Sequence, residues 1–394
     1  MRTCRILKMS RLAALVAALP LMSGCSGDIS IATVNPPVGG GTGESGDFVQ
    51  DVSAPHIFTG KTNAYHTFRI PAIVKTTKGT LVAFCEGRKN SGSDTGDINM
   101  ICRRSIDGGK TWSKIITIWD DGTNTCGNPS PVVDPETGRI HLLMTWNYET
   151  DGKSAGDFNK VGATKDTRRV FYTWSDDDGV TWEKPVEITS TTKKSDWGWY
   201  ATGPCHAIIL NRGAHKGRIV VPCDHNVIGG SGYSHVIYSD DKGKTWKIGG
   251  EVRGGNESTI EELEDGRLLI SCRQSGCRLL AYSSDGGETF TAGVSCTELV
   301  DPRCEGSLTS TVKNGKQVLL HCNCASTDRT HLTVKASLDG GNKWSAGYTV
   351  WAGYAAYSDM VMLDDNTVGV FYENGDTGSY ARISFEAVSV TNCL

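Results

Sequence analysis

Apolar and aromatic residues cluster in short stretches, among them Val170-Phe171-Tyr172-Thr173-Trp174 and Ser234-His235-Val236-Ile237-Tyr238. Such runs, rich in β-branched and aromatic side chains, predict strands. No long helical period appears between them, so the chain reads as all-β. The runs end in a shared punctuation. The pattern Ser-x-Asp-x-Gly-x-Thr-Trp is complete at residues 105–112, 175–182 and 239–246; a fourth copy at 283–290 has Phe290 for Trp, and a fifth at 337–344 has Lys343 for Thr. Successive copies start 70, 64, 44 and 54 residues apart, as expected of propeller blades with loops of variable length. In such a turn Ser and Asp accept backbone N–H bonds, Gly takes φ > 0, and the aromatic residue packs between blades. These residues are expected to hold turns and to catalyse nothing. The pattern predicts one antiparallel β-propeller domain over residues 52–394, with about six blades of roughly four strands.

The N-terminus is patterned differently. Arg2, Arg5, Lys8 and Arg11 precede an apolar run from Leu12 to Met22, followed by Ser23, Gly24 and Cys25. That is the layout of an export signal over residues 1–24. The run is short of the roughly 20 apolar residues of an ordinary membrane span. Cys25 behind small residues resembles the bacterial lipobox, with Met22 where Leu is usual; lipidation of Cys25 and plain release are both open. Residues 25–51, with Pro36-Pro37 and Gly39-Gly40-Gly41, read as a flexible tether. The expected location is the periplasm or the outer membrane and cell surface as a lipoprotein, otherwise the medium.

Charge and cysteine content narrow the partners. Forty Lys and Arg against 44 Asp and Glu give −4, and loss of the four N-terminal cations takes this to −8. Nucleic acid and anionic membrane are therefore not expected partners, apart from a lipid on Cys25. Twelve of the 14 cysteines remain once Cys4 and Cys25 are set aside, and none forms a paired C-x-x-C site. Cys322-Asn-Cys324 is too tight to argue for a metal, so no metal or organic cofactor is expected. A Cys272–Cys277 disulfide and buried free thiols both remain open, and nothing demands more than a monomer.

The five boxes, together with Phe68-Arg69-Ile70-Pro71, resemble the bacterial sialidase family of exo-alpha-sialidases or neuraminidases, whose members are six-bladed propellers. Further segments follow in the family order: Glu86-Gly-Arg88, Ser93-Asp94-Thr-Gly-Asp97, Asn128-Pro129, Gly203-Pro204, Asn256-Glu257, the Arg273 strand, Arg329, Tyr357-Ser358-Asp359 and Tyr372-Glu373. The likeness spans essentially the whole folded region. It implies a retaining glycosidase that removes terminal sialic acids from glycoproteins, glycolipids and oligosaccharides.

Sialic acid carries a carboxylate on its anomeric carbon, so its site needs fixed cations. Arginine suits this, because its planar fork stays charged and grips a carboxylate at two points. The resemblance assigns Arg69, Arg273 and Arg329 to it, with Arg303 competing for the third place. A carboxylate nucleophile would repel such a substrate, and the family uses a tyrosine. Tyr357 stands at that position, with Tyr354 as rival, and Glu257 matches the carboxylate that takes its proton. Asp94 matches the acid/base residue, while Asp97 fits a strand-entry turn. Glu373 resembles the carboxylate that orients Arg69, and Arg88 a further substrate contact. Asn128 either faces the acetamido or glycerol arm or caps a turn; His206 is given no role. Two other readings stand beside it: transfer of the sialyl group, including intramolecular transfer, by the same catalytic residues, and a glycan-binding propeller without turnover, which missing catalytic residues would favour.

Overall fold

The computed structural model describes residues 48–149 and 167–394. The expected export signal, Cys25 and all but the end of the expected tether lie outside them. Regular structure begins inside the stretch expected as tether. Gln50–Ser53 pairs with Thr111–Ser113, and Asp51 reaches the buried Arg103 guanidinium at 2.5 Å.

Among the described residues, antiparallel strands build six four-stranded blades. Blade 1 is Thr67–Lys75, Leu81–Arg88, Ile98–Ser105 and Ile116–Trp119. Blade 2 is Thr125–Val133, Ile140–Asn147, Arg169–Ser175 and Val186–Glu187. Blade 3 is Trp197–Thr202, Ile219–Val227, Gly232–Ser239 and Lys247–Arg253, and blade 4 is Ser258–Glu262, Leu268–Cys272, Ser275–Ser283 and Val294–Pro302. Blade 5 has Ser307–Lys313, Lys316–Cys324 and Thr330–Ser337, and borrows its fourth strand from the start of Tyr348–Asp364. The remainder of that long strand opens blade 6 against Thr367–Gly375, followed by Arg382–Ser389. The last place in blade 6 is filled by His56–Thr59 from the other end of the chain, which closes the ring. This is the all-β, six-bladed propeller that the repeat predicts.

Each box sits at the turn from third to fourth strand. In all five, the Gly N–H donates to the Ser hydroxyl at 2.8–3.0 Å, and that hydroxyl donates to the Asp at 2.8–2.9 Å. The Thr side chain adds a bond to the Asp at 2.5–2.6 Å in four boxes; Lys343 keeps only its backbone bond, at 2.9 Å. Trp112 stacks edge-on against Phe385 of blade 6, Trp182 against Phe84 of blade 1, and Trp246 tilts against Tyr172 of blade 2. Each box thus locks its blade onto the one before. Blade 6 has no box, because its third-to-fourth turn is where the ring is opened by the chain ends.

Buried apolar side chains form six clusters among the described residues, one at each junction between neighbouring blades. Strands covered on both sides read as continuous apolar runs; Leu81–Arg88 is buried at every position. The expected choice at the cysteines falls to free thiols. All twelve are unpaired, and Cys272 faces Leu279 across its strand pair, not Cys277.

Alternating strand direction separates function from fastening. The box turns end the third strands, whereas the starts of first strands and the ends of second strands meet on the opposite face. A Cβ on Gly109, where φ is +90°, would lie 2.1 Å from the Phe385 ring. Gly109→Ala should therefore lower the unfolding free energy by about 2–4 kcal/mol through backbone strain and overpacking at the closing junction, read by urea unfolding.

Candidate active site

The face opposite the boxes holds a cleft of about 1060 Å³. Its lining includes Arg69, Arg88, Asp94, Asn128, Glu257, Arg273, Arg329 and Tyr357, which places eight of the nine sequence-derived site residues on one surface. The ninth, Glu373, is fully buried directly behind it. All come from strand ends or loops on that face, as blade geometry requires.

Glu373 anchors the first arginine. Arg69 donates to it from Nε at 2.8 Å and from Nη2 at 3.1 Å, while the backbone N–H groups of Ile70 and Tyr357 donate at 2.8 and 3.2 Å. Burial opposes the Arg69 charge, but Glu373 outweighs it and holds the guanidinium firmly protonated. Arg69 Nη1 is left facing the cleft, 3.7 Å from Asp94.

Tyr357 lies in the cleft floor between two partners. Arg273 Nη1 donates to its hydroxyl at 2.7 Å, and the hydroxyl donates to Glu257 Oε1 at 2.7 Å. A direct Arg273–Glu257 contact closes the triangle. Burial pushes the Tyr357 hydroxyl well above its ordinary value, with Arg273 pulling the other way. The phenol is therefore neutral and already aligned with a carboxylate acceptor. Tyr354, the rival, is half-exposed and outside the cleft lining.

Asp94 sits at the mouth with its side chain about half exposed, 2.8 Å from Arg88 Nη1. Partial burial raises its carboxyl, but Arg88 and then Arg69 outweigh this and hold it below the usual carboxylate value. Asp97 instead precedes a blade 1 strand, its carboxylate 3.2 Å from Lys89 and its carbonyl accepting from the Lys89 N–H. Arg88 is buried, with Nε and Nη2 on Glu86 at 3.0 and 2.7 Å. Arg329 lies over the Tyr357 ring at 5.6 Å; Arg303 shares the lining and offers Arg329 its carbonyl at 3.2 Å. Asn128 has φ +55° and spends its side-chain oxygen on Thr145, at 2.9 Å, and on Arg168. His206 is off the cleft, its Nδ1 2.6 Å from Asp359.

Three groups escaped the sequence reading. Buried Arg168 donates to Tyr200 O at 2.9 Å and stacks on Trp199; the Arg168-Arg169 pair at a strand start was the available signal. Tyr380 lines the cleft from an irregular loop that no repeat marks. Asp224, in a blade 3 strand, accepts from Trp199 Nε1 at 2.9 Å and Asn256 Nδ2 at 3.1 Å, and its Oδ1 has no partner.

The chain matches the BNR repeat-like domain family over residues 79–370. It is 32% identical over 336 residues to an exo-alpha-sialidase of Aspergillus fumigatus, a match covering 79% of each chain. It is 31% identical over 352 residues to a sialidase of Bacteroides fragilis, covering 83% of this chain and 63% of that one. The chain belongs to the sialidase family of Asp-box propellers. Among solved structures, the Hadza microbial sialidase Hz136 superposes on this family member with a TM-score of 0.77 at 30% identity, covering 85% of this chain and 68% of that one. A leech intramolecular trans-sialidase, with a TM-score of 0.73 at 19% identity over 88% of this chain and 71% of its own, shares the fold.

Burial, and then the charge of Glu257, push Asp224 up to about 8. Its unfolded carboxyl ionises near 4. The stability tied to the protonated form is therefore intact below pH 4 and lost as pH rises from about 4 to 8. Asp224→Asn, which puts an NH2 group where Oδ1 lacks a partner, should gain on the wild type in urea midpoint between pH 5 and pH 8.

Proposed function

We propose that this protein is an exported exo-alpha-sialidase that hydrolyses terminal sialic acids from glycans with retention of configuration. The observation that carries this reading is the Arg273–Tyr357–Glu257 triangle on the floor of an arginine-lined cleft. Arg69, Arg273 and Arg329 bind the substrate carboxylate, and Glu373 fixes Arg69 in place. Binding adds negative charge beside Arg69 and displaces water from around Asp94. Both effects raise the Asp94 carboxyl from its depressed value in the empty cleft, so that it can carry a proton.

The Tyr357 oxygen attacks the anomeric carbon as its proton passes to Glu257. The bond to the leaving oxygen breaks, and that oxygen takes the Asp94 proton. Water then attacks the sialyl-enzyme, giving a proton to Asp94, while the departing Tyr357 oxygen recovers its own from Glu257. Two inversions give net retention. A neutral tyrosine avoids the repulsion that a carboxylate would meet beside an anionic substrate. Arg88 and the amide of Asn128 complete the sugar-facing wall.

The test is hydrolysis of an aryl sialoside by the protein from Ser26 onward, with products followed by NMR. Free sialic acid is expected, formed first as the α-anomer; a transferred or anhydro product would overturn hydrolysis. Tyr357→Phe should lose about a thousandfold or more in kcat. Asp94→Ala should lose about 100-fold or more on natural sialosides and spare aryl substrates whose leaving groups depart unprotonated.

Export and anchoring through Cys25 form part of the same proposal, supported by the charged, apolar and small-residue order of residues 1–25. Mass spectrometry of the mature N-terminus should find a lipidated Cys25, and Cys25→Ser should release the protein from the membrane fraction.

A further inference from the structure

The three arginines assigned to the substrate carboxylate are not held alike. Arg69 is clamped by Glu373 and Arg273 by Glu257, but Arg329 has no carboxylate partner among the described residues. An arginine without a carboxylate clamp needs other contacts to limit the rotamer freedom that ligand binding would otherwise have to remove. Its acceptors are the Tyr380 hydroxyl, at 2.6 Å, and the Arg303 carbonyl, at 3.2 Å. The Tyr380 ring also lies over the Arg69 guanidinium, 4.0 Å from ring centre to Cζ. One side chain therefore touches two of the three arginines, by a hydrogen bond to one and by stacking on the other.

The loop that presents Tyr380 is tied down at both ends. Asp376 grips Arg382 through both oxygens at 3.0 and 3.1 Å, and the Gly60 N–H donates to the Ala381 carbonyl at 2.9 Å. At its start the chain passes so close to itself that a Cβ on Gly375 would lie 2.2 Å from the Gly378 carbonyl. The Ser379 hydroxyl reaches the carbonyl of Arg329 itself at 3.5 Å. The loop thus holds Arg329 by backbone and side chain together.

We propose that Tyr380 is a positioning residue for substrate binding, which sets Arg329 and Arg69 in the geometry that receives the sialic acid carboxylate. It takes the part for Arg329 that Glu373 takes for Arg69, without adding a negative charge that would compete with the substrate. The inference rests on the sialidase reading and deepens it. Because Tyr380 acts on the bound carboxylate and not on the reacting atoms, its loss acts through affinity.

The experiment compares wild type, Tyr380→Phe and Tyr380→Ala, with thermal melting to show that each is folded. Aryl sialoside kinetics and calorimetric binding of free sialic acid are measured for all three. Tyr380→Phe keeps the stack on Arg69 and loses the bond to Arg329; KM should rise about five- to tenfold with kcat within about twofold. Tyr380→Ala loses both contacts and should show the larger rise, with sialic acid binding weakened in step. An unchanged KM in both variants overturns the proposal. A lowered KM overturns it too, and marks Tyr380 as an obstacle in the carboxylate's place. A folded wild type that neither binds sialic acid nor turns over the sialoside overturns the sialidase reading itself, and this inference with it.

Discussion

One fully buried carboxylate ties architecture to chemistry. Glu373, near the end of a blade 6 strand, takes two bonds from Arg69, one from the Ile70 backbone in blade 1, and one from the Tyr357 backbone in its own blade. Blades 1 and 6 are the pair that must meet for the ring to close. Three of these four bonds seal the seam, and the four together fix a cationic side chain and the backbone of the floor tyrosine. A carboxylate buried this deeply is costly unless every lone pair is used, and here four donors converge on two oxygens. Loosening Glu373 would disturb ring closure and cleft together.

Around that anchor, the cleft is built from charges that restrain one another. Arginines face a floor where the proton-bearing group is a phenol, and the carboxylates that line the cleft, Glu86, Asp94 and Glu257, are each paired with an arginine. Asp94 is held ionised by Arg88 and Arg69 until something anionic shares those cations, so its proton affinity depends on occupancy. Asp224 is the converse: buried, beside Glu257, and held neutral at physiological pH. Two carboxyl groups in one molecule are thus driven in opposite directions by cations at one and burial at the other.

The fold was legible because its signal is local and repeated. Ser, Asp and Gly at fixed offsets specify a turn by hydrogen bonds that close within eight residues, so five such turns announce blades before any long-range contact is known. The sixth blade carries no such mark, since His56–Thr59 and Arg382–Ser389 are joined only in space. Site residues in short motifs, such as Arg69 in Phe-Arg-Ile-Pro and Tyr357 before Ser-Asp, could be placed by resemblance. Tyr380 could not: it sits between Ser379 and Ala381 in an irregular loop, and its value comes from partners 51 and 311 residues away in sequence, Arg329 and Arg69. Asp224 was hidden for a different reason, because a strand position does not reveal which buried charges surround it. The start of regular structure at Gln50 was missed because Asp51 is recruited by Arg103 and not by any neighbour in sequence.

The missing sixth box has a consequence for how the chain could be rewired. The start of His56–Thr59 and the end of Arg382–Ser389 lie on the face away from the cleft, at the one turn no linker spans. Because every other blade joins its third and fourth strands through the same short turn, the ring has no intrinsic beginning. A Ser-x-Asp-x-Gly-x-Thr-Trp segment joining the present ends would complete the rotational pattern. New termini cut into any other box would then give a circular permutant with the same arrangement of blades.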